Sequence, residues 1–138
     1  MKRATNQGFT LVETMLVICL VGVMASMAAP PFFRYLASNQ LATQADRMVA
    51  DLQYARSLSV ANSQILRFSV TAAGYELTNP LTGTVLRENN FANGLNLDRD
   101  QTADFFPWGM ADQTVFNLSS HAGAKQITLL PTGLVEVH

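Results

Sequence analysis

Few residues in this chain have the type and spacing to do chemistry, and one of them stands in an odd place. Glu13 opens a run, residues 14–33, that carries no charge over twenty positions. A carboxylate at the centre of a bilayer costs about 2.5–3.5 kcal/mol, and less toward the surface. Glu13 must therefore lie shallow and reach water, or meet a cation. Further on, "DRDQTAD" brings Asp98, Asp100 and Asp104 close together in the sequence. These are hard oxygen donors of the kind calcium takes, but the stretch lacks the glycine and the terminal glutamate of a calcium loop and reads as a solvated loop. His121 in "SSHAG" follows two serines, which a turn explains better than a nucleophilic triad. His121 and His138 are the only histidines, and neither stands beside a cysteine or acid at metal-ligand spacing. The single cysteine, Cys19, lies inside the apolar run and has no intrachain disulfide partner. No glycine-rich phosphate loop is present. The pattern holds no catalytic constellation, no metal site and no cofactor site, and reads as a protein that is not an enzyme.

The elements that position Glu13 come next. At about 1.5 Å per residue, the uncharged run makes a helix roughly 30 Å long, the thickness of a bilayer core. Lys2 and Arg3 are the only basic residues before position 34. Three readings fit this start. A secretory signal peptide would use Lys2, Arg3, a core over 15–24 and a small-residue site at Ser26-Met27-Ala28. A plain membrane anchor fits the length. A third reading takes a short basic leader "MKRATNQG", then "FTLVE", then an unbroken apolar helix.

The third reading carries a resemblance. "GFTLVE" resembles the leader signal of type IV pilins and of the pseudopilins of type II secretion. In that family a prepilin peptidase cuts after the glycine, here between Gly8 and Phe9, and the new N-terminal phenylalanine is methylated. The resemblance further marks Glu13, Pro30 and the helix-weakening position Gly22. It implies that Glu13 pairs with the Phe9 ammonium, usually that of a neighbouring subunit, when the helices bundle into a filament. Charge burial makes such pairing reasonable, because an isolated buried charge is very costly. The positive-inside bias of Lys2 and Arg3 would leave that end in the cytoplasm and the body outside. Pro30 and Pro31 remove two backbone donors, and Gly22 lowers helix propensity by about 1 kcal/mol relative to alanine. Residues 22–31 are thus where the helix is expected to bend or locally melt.

After Arg34 the pattern turns amphipathic. Leu41, Ala45, Met48, Leu52, Ala55 and Ser59 recur at spacings of four and three, widened by Val49 and Leu58. This predicts one buried helix face continuing to about residue 62. Arg47 and Asp51, four apart and off the stripe, read as a solvated pair. Beyond residue 63, "ILRFSVT" alternates, "GYELT" and "TVLRE" flank the turn "NPLTG", "TVFNLS" and "KQITLL" flank "SHAGA", and "GLVEVH" follows "PTG". Residues 88–113 read as a long, turn-rich connection. Within it, Phe105, Phe106, Trp108 and Met110 either cover the sheet or form an exposed patch for a neighbouring subunit.

The stretches "LQYARS" at 52–57 and "ITLLPTG" at 127–133 resemble the H-type minor pseudopilins of type II secretion and the T-type minor fimbrial pilins. The fold expected is α+β and type IV pilin-like: a long N-terminal helix packed on an antiparallel sheet of about six short strands. The expected division is a leader at 1–8, a transmembrane half of the helix at 9–33, an amphipathic half at 34–63 and a periplasmic β-domain at 64–138. The resemblance implies a single pass through the bacterial inner membrane, then entry into a periplasmic filament. Its implied partners are other pilins or pseudopilins, the prepilin peptidase and an inner-membrane assembly platform. Two alternatives stay open: a DNA-capturing minor pilin, and a secreted β-rich protein cut near Ala28. The formal charge is -1, and setting aside Lys2 and Arg3 leaves 7 of the 9 basic side chains against 10 acidic ones, a balance of -3. That acidity, and the lack of any arginine after Arg99, argue against nucleic acid as a partner.

Overall fold

The computed structural model describes residues 9–138 and divides the chain into two compact units, one ending at Arg34 and the other running Tyr35–His138. The predicted leader, Lys2, Arg3 and Gly8 included, lies outside the described residues.

Helix α1 (Leu11–Asn62) is 52 residues long. Its end at Asn62 is where the amphipathic stripe predicted it, and Ser63 follows in the left-handed region at φ 52°. The helix is continuous through Gly22, Pro30 and Pro31, although the two prolines donate no backbone hydrogen bond. The first unit consists of the apolar part of this helix. From Phe9 to Met27 every side chain is exposed, and the helix is long and apolar enough to cross a membrane.

In the second unit eight strands follow the helix: β1 (Leu66–Val70), β2 (Gly74–Asn79), β3 (Thr84–Asn90), β4 (Asn96–Leu97), β5 (Gln101–Phe105), β6 (Thr114–Ser120), β7 (Gly123–Leu129) and β8 (Val135–Val137). They form two four-stranded antiparallel sheets, ordered β3-β2-β1-β5 and β4-β6-β7-β8. The expected single sheet of about six strands is corrected here. The two strands missed, β4 and β5, lie inside the stretch read as a loop.

The core explains the arrangement. Leu41, Ala45, Met48, Leu52, Ala55 and Ser59 of α1 are all buried, as the spacing of four and three requires. Against them alternate positions of the strands point inward: Leu66, Phe68 and Val70 from β1, Tyr75 and Leu77 from β2, Ala103 and Phe105 from β5, Phe116 and Leu118 from β6, Ile127 and Leu129 from β7. Phe68 sits at the middle, stacked on Tyr75 at 5.0 Å and edge-on to Phe116 at 6.3 Å, so it joins the two sheets.

Candidate functional site

The first unit presents its chemistry at one end. Thr10 precedes the helix, and its backbone carbonyl and Oγ1 accept hydrogen bonds from the Glu13 N–H at 3.1 and 3.3 Å. Thr10 is therefore the N-cap and Glu13 the third helical residue, the positions of a Thr-x-x-Glu capping box. Glu13 lies in the first turn, where four backbone N–H groups lack helical partners and a negative charge is favoured. Phe9 stands one residue ahead of the cap and is 78% exposed. Glu13 is itself exposed and holds no ion pair among the described residues. Behind it Val12, Met15, Leu16, Cys19, Leu20 and Val23 line one open, almost wholly apolar strip. The capping box was legible in "TLVE" and went unread beside the question of membrane depth.

The second unit gathers two polar clusters on the helix. In the first, Asp51 of α1 is buried and accepts hydrogen bonds from Tyr75 Oη at 2.7 Å and from Arg87 Nη1. Asn89 Nδ2 donates to the same Tyr75 hydroxyl at 3.0 Å, and the Arg87 guanidinium lies 4.6 Å from the centre of the Tyr54 ring. Burial, then the hydrogen bond to Asp51, pushes the Tyr75 phenol well above its ordinary value. The bond to Asp51 also raises the Arg87 guanidinium. The expected solvated pair of Asp51 with Arg47 is corrected: partners 24 and 36 residues away draw the carboxylate inward.

The second cluster joins the two motifs at 52–57 and 127–133. Arg56 Nε donates to the Gly109 carbonyl at 3.1 Å. The fully buried Ser59 Oγ lies 2.8 Å from the Arg56 carbonyl and 3.3 Å from that of Phe106. Gly133, at φ +75°, passes so close that a Cβ there would stand 2.6 Å from both Arg56 Nε and the Gly109 carbonyl oxygen. Only glycine meets both demands. The Ala111 N–H donates to the Pro131 carbonyl at 3.1 Å and ties the 106–110 turn to the "PTG" turn.

That turn splits the aromatic group named from sequence. Phe105 is fully buried on β5 and belongs to the core, so it leaves the expected exposed patch. Phe106 is half-buried and stacks on Trp108 at 5.0 Å with planes 7° apart. Trp108 is 67% and Met110 48% exposed. The acidic run is also divided. Asp98 and Asp100 are exposed, while β5 carries Asp104 opposite Arg67 of β1 in a two-pronged pair at 2.7 and 2.8 Å. Among the described residues no three acids, histidines or cysteines gather as metal ligands. His121 occupies the exposed turn between β6 and β7.

Comparison with known proteins completes the description. The family model for the type II transport protein GspH matches residues 44–133. The type IV major pilin protein PilE of Neisseria gonorrhoeae is 30% identical over 90 residues, which cover 65% of this chain and 53% of PilE. The fimbrial protein EcpC of Eikenella corrodens is 39% identical over 41 residues, 30% of this chain and 27% of EcpC. The matches thus span about half of one curated relative and about a quarter of the other. The type IV minor pilin FimU of Pseudomonas aeruginosa superimposes with a TM-score of 0.63 at 19% identity, over 73% of this chain and 90% of that one. At that identity the likeness establishes the fold, a long helix on antiparallel sheets.

Proposed function

From the premise that this chain belongs to the type IV pilin-like family of the type II transport protein GspH, we propose that it is a minor filament subunit, anchored by its N-terminal helix before assembly. Members of the family are structural subunits rather than enzymes. The observation that carries the reading is the exposed apolar surface from Phe9 through the first part of α1 to Met27, which holds a lone carboxylate. Such a surface has no stable place in water. It suits lipid first and the packed helices of a filament afterwards.

In this proposal the prepilin peptidase cuts between Gly8 and Phe9 and the Phe9 amine is methylated. The new ammonium lies about 6 Å of helix from Glu13. Drawn into a bundle of apolar helices, each charge needs the other, and an axial step between subunits brings Glu13 of one chain to Phe9 of the next. Gly22, Pro30 and Pro31 mark where the helix yields during packing. The body, residues 64–138 with the amphipathic half of the helix, lies in the periplasm. There Phe106, Trp108 and Met110 offer an interface to a neighbouring pilin-type subunit, with Phe105 behind them in the core. An inner-membrane platform drives the assembly. This is the role common to a secretion pseudopilus and a type IV pilus.

Intact mass of the chain purified from its own cell tests the first step. A chain beginning at methylated Phe9 is expected, and one beginning near Ala29 would refute the proposal. Glu13→Gln tests the second: membrane insertion should persist while recovery in sheared filaments falls about tenfold or more, as loss of a buried pair requires.

A further inference from the structure

Sheet β3-β2-β1-β5 keeps one long edge free. Among the described residues β3 pairs only with β2, and of its 7 residues all are exposed except the half-buried Asn89. The other edges are shorter or covered: β4 has 2 residues, β8 has 3, and β5 is bridged at Phe105 by Ala111. The phase of the ladder can be fixed. Thr71 and Gly74 exchange reciprocal backbone hydrogen bonds of 2.8 and 3.3 Å. Counting along the pairs Ser69↔Glu76 and Glu76↔Glu88, the alternation of an antiparallel ladder makes Glu76 and Glu88 a non-hydrogen-bonded pair. In such a pair the side chains stand closest, and the N–H and C=O of Glu88 point away from β2 into solvent.

Two carboxylates therefore face each other on the side of the sheet away from the core. Like charges directly opposite are destabilising. Neither joins an ion pair among the described residues, and the arginine on that face, Arg67, is committed to Asp104. The strand itself is held firmly. On its core side Arg87 is tied to Asp51 and Asn89 to Tyr75, although β3 buries no apolar side chain. The result is a preorganised row of unpaired backbone groups beside uncompensated negative charge.

We propose that the β3 edge receives an extended segment of a different pilin-type subunit, one that places a lysine or arginine opposite Glu88. The inference rests on the filament reading and names one neighbour within it. Strand addition would satisfy the outward N–H and C=O of Glu88, and the basic residue would neutralise the pair of acids. An edge strand of a second copy of this chain does not fit. Its own free edges β4, "NL", β8, "VEV", and the 84–90 edge offer no base without an acid: β8 carries Glu136 and β3 carries Glu88 beside an Arg87 turned to the core.

The test places a photo-cross-linking amino acid at Leu86 of the full chain in the producing bacterium, followed by shearing of filaments and sequencing of cross-linked peptides. Cross-links to a lysine- or arginine-bearing segment of a non-identical subunit are expected. Glu88→Lys should cut their yield about tenfold, and reversing the partner's base to glutamate should restore it. Glu88→Pro, which removes the carboxylate together with an N–H that β2 does not use, should cut it further than Glu88→Gln does. Thermal melts of each full-length variant in detergent show that the fold survives, and Glu88→Gln gives a milder variant with the same direction of effect. Cross-links to a second copy alone, or a yield unmoved by both Glu88→Lys and Glu88→Pro, would overturn the proposal while the chain remains in the filament fraction. A yield lost on chelation and not restored by the charge swap would overturn it in favour of a divalent cation. Absence of the unsubstituted chain from the filament fraction would instead overturn the filament reading, and this inference with it.

Discussion

Tyr75→Phe is the cleanest probe of how the helix is fastened to its sheets. The substitution removes one oxygen and keeps the ring stacked on Phe68 at 5.0 Å. That oxygen donates to Asp51 at 2.7 Å and accepts from Asn89 at 3.0 Å, on a residue only 3% exposed. A hydrogen bond to a charged partner contributes about 1.5–3 kcal/mol. Asp51 keeps its bond from Arg87, so its carboxylate is not orphaned and the lower part of that range applies, about 2 kcal/mol. For a folded unit near 100 residues this lowers Tm by about 8–12 °C. The assay is thermal unfolding of the full chain in detergent at pH 7, followed by near-ultraviolet circular dichroism. A second reading comes from pH. The folded-state pKa of the phenol is raised above its unfolded value near 10. Its contribution to stability is then complete below about pH 10 and is lost as pH climbs from there toward the folded value. The parent chain should therefore lose stability above about pH 10, and Tyr75→Phe should lack that component. A variant melting within about 2 °C of the parent at pH 7, with the same alkaline decline, would refute the role given to this hydroxyl.

Two further substitutions probe the rest of the second unit by the same melt. Gly133→Ala puts a Cβ 2.6 Å from Arg56 Nε and the Gly109 carbonyl at a φ of +75°, and should cost about 2–3 kcal/mol through strain and overlap; a neutral result would show that the two turns do not depend on their contact with Arg56. Phe116→Ala empties a fully buried position beside Phe68 and should cost about 3–5 kcal/mol; a loss below about 1 kcal/mol would mean that the sheets are not joined through this pair.

What could be read from the sequence follows from where each signal is stored. The apolar stripe of α1 from Leu41 to Ser59 was legible because helical period is local information, while the burial of Gln44 and Asp51 beside it was not. Leu66, Phe68 and Val70 announced β1 in the same way. β5 did not announce itself: its inward residues in "QTADF" are Gln101, Ala103 and Phe105, too mixed to alternate visibly, and Asp104 was counted with acids that it leaves. The split into two sheets was hidden because alternation says which way a side chain faces, not which strand lies beside it. Asp51 was misread for a related reason. Its nearest candidate in sequence, Arg47, is an ordinary helical neighbour, while Tyr75 and Arg87 meet it only after the hairpin folds. Phe105 and Phe106 are adjacent, yet strand geometry sends one inward and leaves the other against Trp108. Motif resemblance reached further than periodicity here, since the stretches 52–57 and 127–133 meet at Arg56 and Gly133.

Glu13 has a local role in the single chain and, in the proposed filament, an assembly role, and glutamine separates the two. In the single chain the carboxylate sits in the first turn, where the helix N-terminus favours it by about 0.3–1 kcal/mol when exposed. Glutamine at the same position still suits a capping box with Thr10, so Glu13→Gln leaves most of the local role intact. A charge buried without its partner costs several kcal/mol, which dwarfs the local term. If capping were the whole function of Glu13, Glu13→Gln would enter filaments almost as well as the parent. If the carboxylate answers an ammonium among apolar helices, the same variant anchors normally in the membrane and stalls there, because lipid never required the charge and the bundle does.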